Sequence, residues 1–211
     1  MIVISRLYDD YSDAARAVAE LERIGIPHDD ISIVANNAEG WYRDDDRGVT
    51  TTRRIDRDGD GVDDRAEGAG KGAGIGAAIG GVAGLLAGLG LLAIPGLGPV
   101  VAAGWLASTA AVAAAGGATG GIIGALTQAG VDENEAHTYA EGIRRGGTLV
   151  TARVPEFDRA RAEATLDRAA VDIRDRAALY QRNGWNRFDP NAPAYTGDEI
   201  RRERELYRTR V

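Results

Sequence analysis

Gly68-Ala69-Gly70-Lys71-Gly72-Ala73-Gly74-Ile75-Gly76-Ala77-Ala78-Ile79-Gly80-Gly81-Val82-Ala83-Gly84-Leu85-Leu86-Ala87-Gly88 opens a long uncharged stretch. After Lys71 no charged residue occurs until Asp132. Gly68, Gly72, Gly76, Gly80, Gly84 and Gly88 recur at every fourth position, a spacing that sets them on nearly one face of a helix. Glycine is about 1 kcal/mol worse than alanine in a helix interior. Six of them cost on the order of 5 kcal/mol, so such a helix needs an outside reason to persist. A glycine groove supplies one, because it lets a second backbone approach closely enough for extensive van der Waals contact. Ile75, Ile79, Val82, Leu85, Leu86 and Leu89 fall on the other side and call for lipid or protein.

The run breaks at Ile94-Pro95-Gly96-Leu97-Gly98-Pro99, where two prolines and two glycines stop a helix and turn the chain. Small residues then return at multiples of four, at Gly104, Ser108, Gly116, Gly120 and Gly124. The pattern predicts an antiparallel helical hairpin with arms over 72–93 and 100–128. Gly72, Gly76, Gly80, Gly84, Gly88, Gly104, Ser108, Gly116, Gly120 and Gly124 are its candidate self-association residues. Each arm is about 22 to 29 residues long, and about 20 apolar residues suffice to span a bilayer. A helix apolar all round is equally at home in the core of a soluble oligomer. Lipid, a neighbouring copy and the chain's own body all remain open as its surroundings.

The flanks read as a small α+β domain. Residues 2–8 alternate as a strand does. Asp9-Asp10-Tyr11-Ser12-Asp13 starts a helix that runs to about Arg23, buries Ala14, Ala15, Val18 and Leu21, and ends at Gly25. Residues 31–35 form a second strand, so the first unit is β-α-β, with its strands parallel neighbours or near neighbours. Residues 36–52 turn polar, with a short edge strand over 49–52. Asp132-Glu133-Asn134-Glu135 is a capping box for a helix with Ala136, Tyr139, Ala140 and Ile143 on its apolar face. Residues 148–154 are a strand. Pro155 opens a helix to about Ala169, with Phe157, Ala160, Ala164 and Leu166 inward, and 171–173 form a short last strand. The expected fold is α+β, a small ferredoxin-like sheet with the glycine-zipper helical hairpin inserted. The segments are 1–55 (first half of the domain), 56–67 (acidic loop), 68–130 (hairpin), 131–176 (second half) and 177–211 (C-terminal segment). In the last, Trp185, Phe188 and Tyr195 dock on a neighbour or cover their own sheet, and a charged helix starts at 196–199 and ends near Arg208.

Between the first half and the hairpin lies Asp56-Arg57-Asp58-Gly59-Asp60-Gly61-Val62-Asp63-Asp64-Arg65-Ala66-Glu67. Asp56, Asp58, Asp60, the Val62 carbonyl, Asp64 and Glu67 match the ligand positions of an EF-hand-like calcium loop, with Gly61 at the sharp turn. Asp63 departs from the apolar residue usual at its position, and no entering helix precedes the loop. The alternative is an acidic turn favouring the N-terminus of the following helix. Calcium is therefore the one candidate cofactor.

Leu7-Tyr8-Asp9-Asp10, the alanine-rich helix, Gly25-Ile26-Pro27 and Asp30-Ile31-Ser32-Ile33-Val34 resemble the bacterial heat-induced general stress protein family (17M-like domain). The run 92–104, with Glu135-Ala136-His137-Thr138-Tyr139 and Arg145-Gly146-Gly147-Thr148-Leu149-Val150, resembles the glycine-rich, membrane-associated version of that family, of unknown function. The resemblance implies a bacterial stress-associated protein with no known reaction and brings no catalytic residues.

The net charge is −7 and the pI about 4.9, which argues against nucleic acid as a partner. The chain has no cysteine, which excludes disulfides and thiolate metal sites. Met1-Ile2-Val3-Ile4-Ser5-Arg6 has no basic n-region or long apolar h-region, so the expected location is the cytoplasm, with the inner membrane as an associated surface. No Ser/His/Asp order, H-E-x-x-H or Walker loop is present. The expected function is non-enzymatic self-assembly through the glycine zipper, at the membrane. Its alternatives are a soluble homo-oligomeric scaffold and a calcium-responsive binding module.

Overall fold

The computed structural model describes residues 1–42, 89–109 and 121–208. The first unit is as expected: β1 (Ile2–Tyr8), α1 (Tyr11–Arg23) and β2 (Ile31–Asn36). Helix α1 buries Ala14, Ala17, Val18 and Leu21 and leaves Ala15 only partly covered. Later come β5 (Thr148–Val154) and α3 (Glu133–Arg144), whose Asp132 carboxylate accepts from the Asn134 and Glu135 amides at 2.9 and 3.2 Å. Those bonds satisfy donors that a helix start leaves without intrahelical partners.

The expected helical hairpin is overturned where it is described. Residues 90–94 and 98–104 are not the end and beginning of helical arms. They are strands β3 (Gly90–Ile94) and β4 (Gly98–Gly104), paired antiparallel from Gly90 opposite Ala102 to Ile94 opposite Gly98. Pro95 and two glycines make the reversal, Gly96 at φ +76° and Gly98 at φ +81°, values that L side chains rarely adopt. The Leu97 amide closes the turn by donating to the Ile94 carbonyl at 3.0 Å. A short run apolar on every side carries no period that separates buried strand from buried helix. The choice is made by a partner: β4 pairs with the open edge of β2, from Ser32 opposite Gly104 to Asn36 opposite Val100.

The five strands lie in the order β1-β5-β2-β4-β3, every neighbouring pair antiparallel. β1 and β2 are thus parallel to each other, with β5 between them. Alternation along each strand sends side chains to two cores. Ile4, Tyr8, Ile31, Ile33, Val101, Ala103, Val150 and Ala152 meet α1 and α4 (Arg159–Leu166) on one face. Leu7, Val34, Val100, Ala102 and Leu149 meet α2 (Gly121–Gln128) and α3 on the other. The Tyr8 hydroxyl donates to the Leu166 carbonyl at 2.6 Å and that of Tyr139 to the Ser5 carbonyl at 2.8 Å, so each layer is also pinned by a buried polar bond.

Two further expectations change. A 3-10 turn (Glu156–Asp158) precedes α4 and shifts its phase, so Ala162, Thr165 and Leu166 face inward while Phe157 is 86% exposed and Ala160 and Ala164 are exposed too. The last strand is reduced to a single bridge between Val171 and Leu7. Asp172 instead caps α5 (Ile173–Arg182), accepting from the Arg174 and Asp175 amides.

Gly104 ends β4 at φ +85°, where an added Cβ would stand 2.1 Å from the Ile31 carbonyl oxygen and 2.8 Å from the Ser32 Cα. Gly25 has φ +97° with nothing within 4 Å of the same point. Gly25→Ala is therefore expected to cost only the conformational strain, about 1–2 kcal/mol. Gly104→Ala adds a backbone collision and should cost about 3 kcal/mol or more, measured by urea denaturation. Equal losses for the two variants would refute the close approach of β4 to β2.

Candidate self-association region and its anchors

Tyr42 and Leu89, which flank the segment that carries most of the periodic glycines, are held by a defined set of hydrogen bonds. The Tyr42 amide donates to the Asn37 Oδ1 at 3.0 Å, and Asn37 Nδ2 donates back to the Tyr42 carbonyl at 3.0 Å. The Tyr42 hydroxyl then donates to the Leu89 carbonyl at 2.8 Å. Leu89 is buried among the side chains beneath α1. The two ends of residues 43–88 are thus tied together at one point of the body. The Trp41 indole N–H adds a bond to the Asn36 carbonyl at 2.8 Å, and its ring lies 4.6 Å from that of Tyr11.

The predicted association residues distribute unevenly over this frame. Gly72, Gly76, Gly80, Gly84, Gly88, Gly116 and Gly120 lie outside the described residues, as do the expected edge strand at 49–52 and the whole candidate calcium loop with Asp56, Asp58, Asp60, Val62, Asp64 and Glu67. Gly104 sits at a strand end rather than on a helix, and its close approach is to β2 of its own chain. Ser108 lies in a helical stretch over 105–109, where its exposed hydroxyl donates to the Trp105 carbonyl at 2.9 Å. Gly124 is on α2 with open space where a Cβ would stand. Among the described residues no group of three His, Cys, Asp or Glu side chains is placed to hold a metal ion. None of their helices is long and apolar enough to cross a membrane.

The second anchor is electrostatic and was not read from the sequence. Glu141 is fully buried on α3, where Arg145 Nε donates to one of its oxygens at 2.7 Å and Arg144 Nη1 to the other at 3.3 Å. The i,i+3 and i,i+4 spacing of the three residues was visible, but nothing in the spacing says that the carboxylate is dry. Arg145 reaches on to Glu203 at 2.9 Å and lies over the Tyr180 ring at 4.4 Å. Burial alone lowers the affinity of its guanidinium for a proton, but the bond to Glu141 and the charge of Glu203 outweigh that and raise it. Glu203 belongs to α6 (Gly197–Arg208), whose Arg201 and Arg204 both bind Glu39 in the loop after β2. Arg204 also donates to the Gly146 carbonyl at 3.1 Å. Arg176 holds Asp9 through two bonds of 2.8 Å and lies 3.9 Å from the Tyr207 ring centre.

The C-terminal segment therefore docks on its own subunit. Phe188 is buried against the apolar core, and the sites of absent Cβ atoms on Gly96, Gly98 and Gly146 meet Phe188 and Pro190, Ala194, and Ile200 respectively. Of the aromatic residues read as candidate docking groups, Phe188 lies against Gly96 in the turn between β3 and β4, the Trp185 ring stands 5.7 Å from that of Tyr180, and the Arg144 guanidinium lies 5.0 Å from the Tyr195 ring centre.

Comparison with protein-family models, with curated proteins and with solved structures finds no match for this chain.

Removing one partner of a buried ion pair strands the other, at about 3–5 kcal/mol, whereas an exposed pair is worth about 1 kcal/mol or less. Glu141→Gln keeps the shape and one acceptor oxygen but leaves Arg144 without its carboxylate. It is expected to lose about 3 kcal/mol in chemical denaturation. Arg201→Ala, at a half-exposed pair, should stay within about 1 kcal/mol of the parent. A Glu141→Gln loss no larger than that of Arg201→Ala would show that the buried carboxylate does not hold the C-terminal segment.

Proposed function

We propose that this chain is a non-enzymatic, stress-associated protein that assembles with copies of itself through its glycine-rich segments, using the α+β body as the carrier. The observation that carries the reading is the tie between Tyr42 and Leu89. It fastens both ends of the segment that holds Gly72, Gly76, Gly80, Gly84 and Gly88 to a body with its own two cores. The part of it from Gly72 on, poor in helix propensity and uncharged, gains most from contact with another backbone. The likeness of the flanks and of 92–104 to the general stress family suits a stress-associated role.

We read the body as a ferredoxin-like sheet that has received an insertion. Support comes from the order in which Val171, β1, β5 and β2 lie side by side. Support comes too from the two helices, α1 and α4, on the same face. The β3–β4 hairpin then extends the sheet beyond β2, where the inserted chain returns.

The strands at 90–94 and 98–104 favour assembly in water over a spanning hairpin. With 90–94 in a strand, the first arm shrinks to residues 72–88, about 17 residues. As a helix these would reach ~26 Å, short of a ~30 Å hydrocarbon core. The proposed location is the cytoplasm, with the inner membrane as the competing surface.

Purified protein of 22.2 kDa chain mass is expected to run as a multiple of that mass by light scattering without detergent. Gly80→Leu combined with Gly84→Leu is expected to shift it towards the monomer while leaving its circular dichroism unchanged. An unchanged mass for the double variant would sink the zipper. A parent protein recovered only with detergent would move the proposal to the lipid surface.

A further inference from the structure

A cleft of about 590 Å³ opens between α2, α3 and the chain at 187–190. One wall is apolar, formed by Ile123, Phe188 and Pro190. The other carries Glu133, His137 and Arg187. His137 is only 8% exposed, and neither of its ring nitrogens has a hydrogen-bond partner. A buried polar group left without a partner costs about 1–3 kcal/mol, so such a group at the wall of a cleft points to a ligand.

The neighbouring charges indicate which ligand. Arg187 pairs with Glu133, and the same Glu133 oxygen lies 3.8 Å from His137 Nε2, beyond hydrogen-bond reach. A carboxylate of the chain thus already stands between the guanidinium and the imidazole and satisfies only the first. Both members of the pair are largely exposed, Arg187 at 63% and Glu133 at 57%, and an exposed pair is worth about 1 kcal/mol or less. An incoming carboxylate can therefore take its place. Burial and the Arg187 charge depress the proton affinity of His137, against the opposing pull of Glu133, which keeps a neutral ring with one N–H to donate. A phosphate dianion would meet about twice the repulsion from Glu133 that a monocarboxylate meets, and it would leave the Ile123–Phe188–Pro190 wall uncovered.

We propose that this cleft binds a small monocarboxylate with an apolar body, its carboxylate bridging Arg187 and His137 and its body lying against Phe188 and Ile123. Benzoate is the probe, with benzamide as its neutral counterpart and inorganic phosphate as the dianion. Titration of the full-length protein is followed through the His137 ring resonances by NMR. Benzoate is expected to shift them in a saturable way and to bind at least about tenfold more tightly than benzamide, a difference of roughly 1.4 kcal/mol. Phosphate is expected to leave them unmoved. His137→Gln is a buried change with its own folding cost, so the deciding variant is the exposed Arg187→Gln, expected to weaken benzoate about tenfold with the fold intact. Benzoate that does not saturate, benzamide binding as tightly as benzoate, or Arg187→Gln binding like the parent would each overturn the proposal. None of these readouts depends on oligomeric mass, so failure here and failure of self-assembly are separate results.

Discussion

Strand β2 has every residue buried and both edges paired, with β5 on one side and β4 on the other. An unpaired buried backbone group costs about as much as a lost hydrogen bond or more, so a strand in that position needs both partners. One partner arrives from the C-terminal half of the chain and the other from the middle of its uncharged stretch. The chain between β2 and β5 is for that reason no appendage: its strand β4 supplies one of the two partners of β2. Gly104 marks how close the fit is, because its backbone rests directly on Ile31 and Ser32.

Much of the body was legible in residue order. Alternation in 2–8 and 148–154, the Asp132 cap and the Gly25 stop report local rules that the tertiary structure does not override. The glycine-rich middle was misread at 90–93 and 100–104, on either side of a correctly read reversal, because the every-fourth-residue pattern was carried past the point where it stops. After Gly88 the repeat ends, Pro95 and Gly96 bring the chain back on itself, and Val100-Val101 suit a pleated surface. Helix α5 escaped notice for the opposite reason. Its sequence, rich in arginine, offers little apolar period, and its start is signalled only by Asp172. The phase of α4 was lost because alanine sits at nearly every other position and a 3-10 turn resets the count.

The features around which function is proposed were legible to different degrees. Periodic glycines announce themselves in any reading. Tyr42, Asn37 and Leu89 do not, since their roles arise from a meeting of residues far apart in the chain. His137 and Glu141 lie four residues apart on one helix and look alike in sequence, as polar residues beside an apolar face. Their partners separate them: Glu141 receives two guanidinium groups, whereas His137 has only the Glu133 carboxylate, 3.8 Å from its Nε2. The same C-terminal segment reaches the partners of both, Glu203 through Arg145 in the first case and Arg187 through Glu133 in the second.

The bond from Tyr42 to Leu89 also bears on how such a chain can change over evolutionary time. With both ends held at one point, the entropy of closing the segment between them grows only with the logarithm of its length, about 0.6 kcal/mol for each doubling. Residues could be added to or lost from 43–88 at small thermodynamic expense, with the sheet insulated from the change. The body acts as a socket that tolerates a change in the length of what it holds while the strands beneath it stay the same.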